Sequence, residues 1–418
     1  MSDSVKDELI LQPLGLEHQP LGIFGLPAGM LLLPDTPKCA QIAQLCRTGK
    51  RPGEFPAEAL YYQLALSGAD PVEIGNALPR GGTVREFNQL VLGPTRERFE
   101  VLLGRLSGDL ALLVKWHGYL NGYCQLPDYR AANAATIAAI LCSSKASYQL
   151  ELSDSKGAVE LLKEAVELVG ETSPVFAAGL RADLAQILLG EPATCGEGIK
   201  ILSEALEALA DTDLNDLAAE VHLSLAIALH EQLASDPAAL REAVKHYMNA
   251  TRLVSAESSP FVFGTAHMNL ALAYLAMPMA EASDQLRYGV AIASLRHAVA
   301  AFDPARFPQA WASARLNLAN ALVYAPSARQ GDNLVEAVEI YEEVLQLRDR
   351  NEDPMGYARV SANQGNALAH LGMFDHAKAK LHDARVLFEE FGMYPEIATI
   401  REVLDHIERE RVGRGSSS

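Results

Sequence analysis

The chain has 418 residues, 49% of them hydrophobic and 21% charged, a balance that fills a folded core and excludes an intrinsically disordered chain. Its 35 Lys and Arg face 53 Asp and Glu, a formal net charge of −18, with 11 basic and 13 acidic residues in 1–125 and the remaining −16 in 126–418. A field of that sign repels phosphate backbones and anionic lipid surfaces, so neither nucleic acid nor a membrane is an expected partner.

The first eight residues are acidic and polar where a secretory leader would be basic and then apolar, so the expected location is the cytoplasm. The apolar stretch from Ile23 to Leu33 is broken by Gly25, Pro27 and Gly29 and has about half the length of a membrane-spanning helix. Residues 10–35 are rich in Leu, Gly and Pro without a sustained period, which suggests short extended pieces or loops. Helical spacing then returns over 37–47, 56–67, 70–77, 94–106 and 108–121, with Asp70-Pro71 and Pro94-Thr95 as starts. Residues 1–125 therefore read as a small, mainly helical N-terminal domain.

Chemistry in this part has a plain reading beside each sharper one. Cys39 and Cys46 lie seven apart on one helical face, followed by Arg47, Lys50 and Arg51; they are either a cation-activated thiol site or two buried small residues. The five cysteines are odd in number and lack metal or redox spacing, so they are expected as reduced thiols. Arg47-Thr48-Gly49-Lys50-Arg51 lacks the upstream glycine and the Ser or Thr of a phosphate loop, and Arg80-Gly81-Gly82-Thr83 reads as a turn. Trp116 to Cys124 gathers aromatics, a histidine and a thiol, either as a pocket or as the joint between the N-terminal domain and the rest of the chain. No serine elbow, catalytic carboxylate pair or dinucleotide fingerprint is present, and neither catalytic residues nor a cofactor is expected.

From about residue 128 two helical types alternate. The first type is rich in Asn, Leu and Ala and covers 174–190, 214–233, 260–277, 306–325 and 354–371. The second carries a small, a large and a small residue at offsets of four and three: Ala158/Leu162/Ala165, Gly198/Leu202/Ala205, Ala243/Tyr247/Ala250, Ala291/Leu295/Ala298, Ala337/Tyr341/Val344 and Ala377/Leu381/Ala384. Those offsets share one helical face, and its small residues let a neighbouring helix approach closely. Aligning the first type on Ala185, Ala226, Ala271, Ala319 and Gly365 gives steps of 41, 45, 48 and 46 residues, the excess lying in lengthened turns over 233–240, 277–286 and 324–333. A hairpin of 128–151 with 155–170 precedes these five, and Pro174, Pro260 and Pro354 open new helices. A charged helix over about 394–411 reads as a terminal cap. No histidine pair has metal spacing: His222 and His230 are eight apart, and His370, His376 and His382 are spaced by six.

The stretches Asn317-Leu318-Ala319-Asn320-Ala321-Leu322 and Asn363-Gln364-Gly365-Asn366-Ala367-Leu368-Ala369-His370-Leu371-Gly372 resemble the first helix of tetratricopeptide repeats, and each is followed by the matching second helix. The resemblance spans 128–391 and is most similar to bacterial arrays of the Asn-Leu-Gly-Asn kind, here without a following catalytic domain. It implies an all-α fold: a right-handed superhelical solenoid of about six hairpins over 126–391, a capping helix over 392–412 and a disordered tail over 413–418. It further implies a concave groove lined by the first helices. The matching groove positions are Asn269, Asn317 and Asn363, with Asn320 and Asn366 on the same face and Arg315 and Arg359 nearby. Such amides either pair with the backbone of an extended peptide or bridge neighbouring repeats. The lysine that clamps a peptide's terminal carboxylate in chaperone-binding members is replaced by Met268, Leu316 and Ala362, which speaks against a C-terminal clamp. The expected function is a non-catalytic adaptor or scaffold binding a protein or peptide. An assembly chaperone of a multi-subunit enzyme, and an enzyme with its site in 1–125, stay open. The near-neutral N-terminal domain leaves room for a homodimer contact.

Overall fold

The computed structural model describes residues 28–232, 237–277, 285–326 and 329–415, and every regular element among them is helical. Residues 1–27, 233–236, 278–284, 327–328 and 416–418 lie outside the described residues, and with them most of the stretch expected as irregular and parts of the expected lengthened turns and tail. The chain divides into two compact units, Met1–Ala228 and Leu229–Ser418.

In the first unit, α1 (Pro37–Arg47), α2 (Leu60–Leu66), α3 (Pro71–Asn76), α4 (Gly82–Leu92), α5 (Arg96–Leu103) and α6 (Gly108–Leu120) precede α7 (Ala135–Glu151), α8 (Ser155–Val169), α9 (Pro174–Leu189) and α10 (Cys195–Leu209). The starts have a local cause. Thr36, Asp70 and Thr95 accept hydrogen bonds from first-turn N–H groups, and α1, α3 and α9 carry proline in the first turn. Helix α4 departs from the expectation of a bare turn at 80–83. Gly81 offers no side-chain cap, and Thr83, Val84 and Val91 are weak helix formers. Burial of Val84, Phe87, Asn88 and Leu90 overrides that local signal.

Around α4 the chain binds its own non-helical segment. Leu31, Leu32 and Leu33 are at most 1% exposed, yet they belong to no helix. Leu32 N–H donates to Asn88 Oδ1 at 2.8 Å, Asn88 Nδ2 donates back to Leu32 C=O at 2.9 Å, and Tyr61 Oη donates to the same carbonyl. A buried backbone without such partners would lose its hydrogen bonds to water and regain nothing. The loop after α1 is held as well: Asp213 N–H donates to Gly49 C=O at 2.8 Å, Arg51 N–H donates to Asp213 Oδ2 at 3.0 Å, and Lys50 Nζ lies 3.5 Å from Asp213 Oδ1. Gly49 has φ +73°, and a Cβ there would stand 2.8 Å from Thr212. The basic run Arg47–Arg51 thus works as a structural latch.

Helix α11 (Asn215–Gln232) runs across the division between the units. The second unit continues with α12 (Pro237–Leu253), α13 (Pro260–Ala276), α14 (Gln285–Ala301), α15 (Pro308–Tyr324), α16 (Gln330–Gln346), α17 (Pro354–His370), α18 (Phe374–Glu390) and α19 (Tyr394–Gly415), each from α13 onward packed on its predecessor. Left-handed residues end the tight hairpins: Ser153 (φ 62°) follows α7 and Gly372 (φ 74°) follows α17, each letting the next N–H reach back five residues to a helix carbonyl.

All six small–large–small triplets are buried, and so are Ala185, Ala226, Ala271, Ala319 and Gly365 facing them. A Cβ on Gly365 would come 2.7 Å from Leu381 Cγ, which measures how closely α17 and α18 approach. These are tetratricopeptide-like hairpins. In α19, Ile397, Ile400 and Ile407 pack onto Leu387 and Phe388 while the charged residues face outward, as a cap requires. The helix runs to Gly415, so the tail expected from 413 is helical through 415; Arg409 and Arg411 place positive charge at its C-terminal end, where the helix dipole favours it.

Two substitutions probe this packing. Ala298→Leu forces a larger side chain against Phe302 and Ala314 and should lower unfolding free energy by about 1–3 kcal/mol in a urea titration; an unchanged midpoint contradicts the register. Asn88→Ala strands the Leu32 N–H and leaves its C=O to Tyr61 alone, and should cost about 1–3 kcal/mol by the same measurement; a loss under about 0.5 kcal/mol contradicts the clamp.

Candidate functional site

On helices aligned by their buried small residue, about 100° per residue places the positions six before, two before and one after it in one sector on the opposite side. In the second unit these are Thr265, Ser313 and Arg359, then Asn269, Asn317 and Asn363, then Leu272, Asn320 and Asn366. All are half-buried or exposed, as a face not covered by the second helices must be. Direct contacts of α13 with α15 and of α15 with α17 bring the rows together.

The asparagines divide into two sets. Asn320 Oδ1 accepts from Tyr341 Oη at 2.7 Å and from Asn363 Nδ2 at 3.1 Å, while Asn366 Nδ2 donates to Tyr324 Oη at 3.2 Å. Those three amides bridge α15 and α17. The first unit repeats the same step between equivalent positions of α9 and α11, where Gln186 Nε2 donates to Ser224 Oγ at 2.6 Å. Leu272 fills the bridging position ahead of Asn317, and an apolar side chain offers no partner. Asn269 and Asn317 are half-buried and make no side-chain hydrogen bond among the described residues.

The arginines also part. Arg359 lies four residues before Asn363 on the same face, is exposed and pairs with no acid among the described residues. Arg315 is two residues from Asn317 and therefore on the other side of α15: it pairs with Glu343 of α16 and stacks 5.5 Å over Trp311, away from the amide row. In the first unit the corresponding face is acidic. Asp183 is open to solvent but ringed by protein, and that burial raises its carboxyl to about 6; Glu220 is raised by burial and then by Asp216 and Asp183.

Other sequence candidates settle into structural roles. Cys39 and Cys46 are buried; desolvation raises both thiols, Cys46 to about 12 against the opposing pull of Arg51, which leaves no nucleophilic thiolate. Trp116 Nε1 donates to Ser144 Oγ at 2.8 Å, tying α6 to α7, while His117 Nε2 meets Leu90 C=O at 3.0 Å; the aromatic stretch is a joint. No metal-binding cluster and no helix long and apolar enough to cross a membrane occur among the described residues. One set escapes the sequence reading: in three hairpins the position four before the small residue faces a partner on the second helix. It holds Arg181 with Glu204 at 3.8 Å, Arg315 with Glu343, and in α13/α14 His267 with His297, ring centroids 4.9 Å apart. The repeat alignment contains that signal, since His222 and His267 share this position, but only the cross-hairpin partner makes it visible.

No protein-family model and no curated protein matches the chain. Among solved structures, the signal transduction ATPase with a tetratricopeptide repeat sensor from Pyrococcus horikoshii is similar at TM-score 0.53 and 14% identity, covering 83% of this chain and 51% of its own. The apo form of RapI (TM-score 0.43, 13% identity, 66% of this chain and 99% of its own) and aspartyl phosphate phosphatase F from Bacillus subtilis (0.41, 14%, 86% and 96%) also match. The first of these likenesses establishes the tetratricopeptide-like fold and speaks to nothing beyond it.

The division of amides has a measurable consequence. Asn320→Ala removes two hydrogen bonds and should destabilise the chain by about 1–2 kcal/mol, whereas Asn317→Ala should fall within about 0.5 kcal/mol of wild type. Equal losses in chemical denaturation would contradict the division.

Proposed function

We propose that the amide row of α13, α15 and α17 holds an extended segment of a protein partner, and that the chain acts as a non-catalytic adaptor. The carrying observation is Asn317, a half-buried amide with donor and acceptor both open, repeated one hairpin earlier by Asn269. Asparagine is a poor residue for a helix interior, and neither side chain returns that cost through a bond within the molecule. A primary amide matches the N–H and C=O of an extended backbone at one residue, as Asn88 does with Leu32 inside this chain. Recognition of that kind reads backbone more than side chain. The neighbouring Arg359 adds a preference for a carboxylate on the bound segment. A client that is one subunit of a larger enzyme would engage the same row, so a chaperone role is a question of client. Burial of Cys39 and Cys46, which raises both thiols, weighs against a cation-activated thiol site on α1.

Selection from a displayed random-peptide library tests this. Wild type should enrich extended segments, and Asn269→Ala with Asn317→Ala should weaken their capture at least about tenfold while helicity stays unchanged. Equal capture by both would remove the amide row as the binding element.

A further inference from the structure

We propose that the α13/α14 hairpin is a proton-sensitive joint that withdraws Asn269 from the amide row at acid pH. Its effect on the row rests on the peptide-binding reading; the joint itself does not.

The geometry comes from the cross-hairpin slot. In α9/α10 and α15/α16 that slot holds a cation and a carboxylate, Arg181 with Glu204 and Arg315 with Glu343, and each pair stays complementary over a wide pH range. In α13/α14 it holds two imidazoles inclined at 31°, with the Phe263 ring 4.4 Å from His267 and 6.4 Å from His297, and with Ser294 Oγ 3.4 Å from His267 Nδ1. Helix α16 supplies a second acid near its slot, Glu336; the equivalent residue of α14 is Val290.

No carboxylate among the described residues stands ready to meet a protonated His267. Helix α13 carries no other titratable group but Tyr274. Helix α12 brings Arg241, Glu242, Lys245, His246, Tyr247 and Arg252, and Glu242 is held by Lys245 at 2.6 Å with His246 3.8 Å away. Helix α14 brings Arg287, Tyr288, Arg296 and His297, and Arg296 is paired with Glu336 of α16 at 2.9 Å. Helix α15 brings Arg315, paired with Glu343, and Tyr324. In the turns, Asp303 accepts from the Ala305 and Arg306 N–H groups, and Glu257 is bonded to Ser255. Within the helices α12, α13, α14 and α15 themselves, Glu242 is thus the single carboxylate in a chain of net charge −18.

Burial first, then His297, lowers His267 from 6.5 to about 4. The folded hairpin therefore prefers the neutral ring, and the unfolded segment takes up the proton first. Stability is full above pH 6.5 and is lost as pH falls toward 4. A proton on His267 places a cation beside the His297 ring, with no carboxylate to meet it, in a slot that in α9/α10 and α15/α16 holds opposite charges. Loosening there moves α13, and Asn269 with it.

Hydrogen–deuterium exchange of the full chain without ligand, at pH 7.4 and 5.0 and corrected for intrinsic exchange, tests the joint. Wild type should lose about tenfold protection in α13 and α14 at pH 5.0 while α17 and α18 keep theirs. Unchanged protection in α13/α14, or an equal loss in α17/α18, overturns it. His267→Gln with His297→Gln should abolish the difference. His297→Glu restores a cation–carboxylate slot and should make α13/α14 at least as protected at pH 5.0 as at 7.4. A loss that persists in either folded variant overturns the assignment to these rings. Peptide capture read separately at both pH values distinguishes the two levels: lost protection with undiminished capture supports the joint and overturns its link to the row.

Discussion

Close approach between the two helices of each hairpin is the constraint on which the rest of this molecule depends. Alanine or glycine stands at every such contact position but Val344, and Gly365 against Leu381 shows that one methyl group there already exceeds the space. A large residue, Leu or Tyr, fills the hollow between two small ones on the second helix. Because this contact recurs at the same register, every other position inherits a fixed bearing: one sector to the partner helix, one to the next hairpin, one outward. The amide row, its bridging neighbours and the polar slot are all consequences of that register.

The repeat part was legible for the same reason. Sequence spacing alone placed α9, α13, α15 and α17 to within about two residues, since Pro174, Pro260 and Pro354 begin three of them and the buried small residue sets their phase. Helix α4 was illegible because its glycine start and β-branched residues signal a turn, and only tertiary burial of Phe87 and Leu90 makes it a helix. The Leu31–Leu33 segment lies in the stretch read as short extended pieces or loops, but its partner Asn88 is 55 or more residues away in sequence, beyond the reach of local pattern.

At the site, sequence grouped five asparagines and two arginines, and the structure separates them by what stands one hairpin away. Asn363 donates to Asn320, and Asn366 donates to Tyr324; the position equivalent to Asn320 one hairpin before Asn317 is the apolar Leu272, and Asn317 stays open. Arg315 fell into the group through proximity in sequence, although two residues along a helix mean opposite sides. The two units also differ in chemistry on equivalent faces, carboxylates at Asp183 and Glu220 in one and neutral amides in the other. That difference explains why the strong overall acidity is a poor guide to what the amide row can hold.

The most direct measurement is site-specific photo-cross-linking within one hairpin. A photoreactive side chain at exposed Ser313 lies on the amide face four residues from Asn317, and one at Val335, 47% exposed on α16, lies on the second helix of the same hairpin. With a captured partner peptide, strong cross-linking at 313 and little at 335 is the predicted result. Cross-linking at 335 with none at 313 would contradict the amide face as the binding surface.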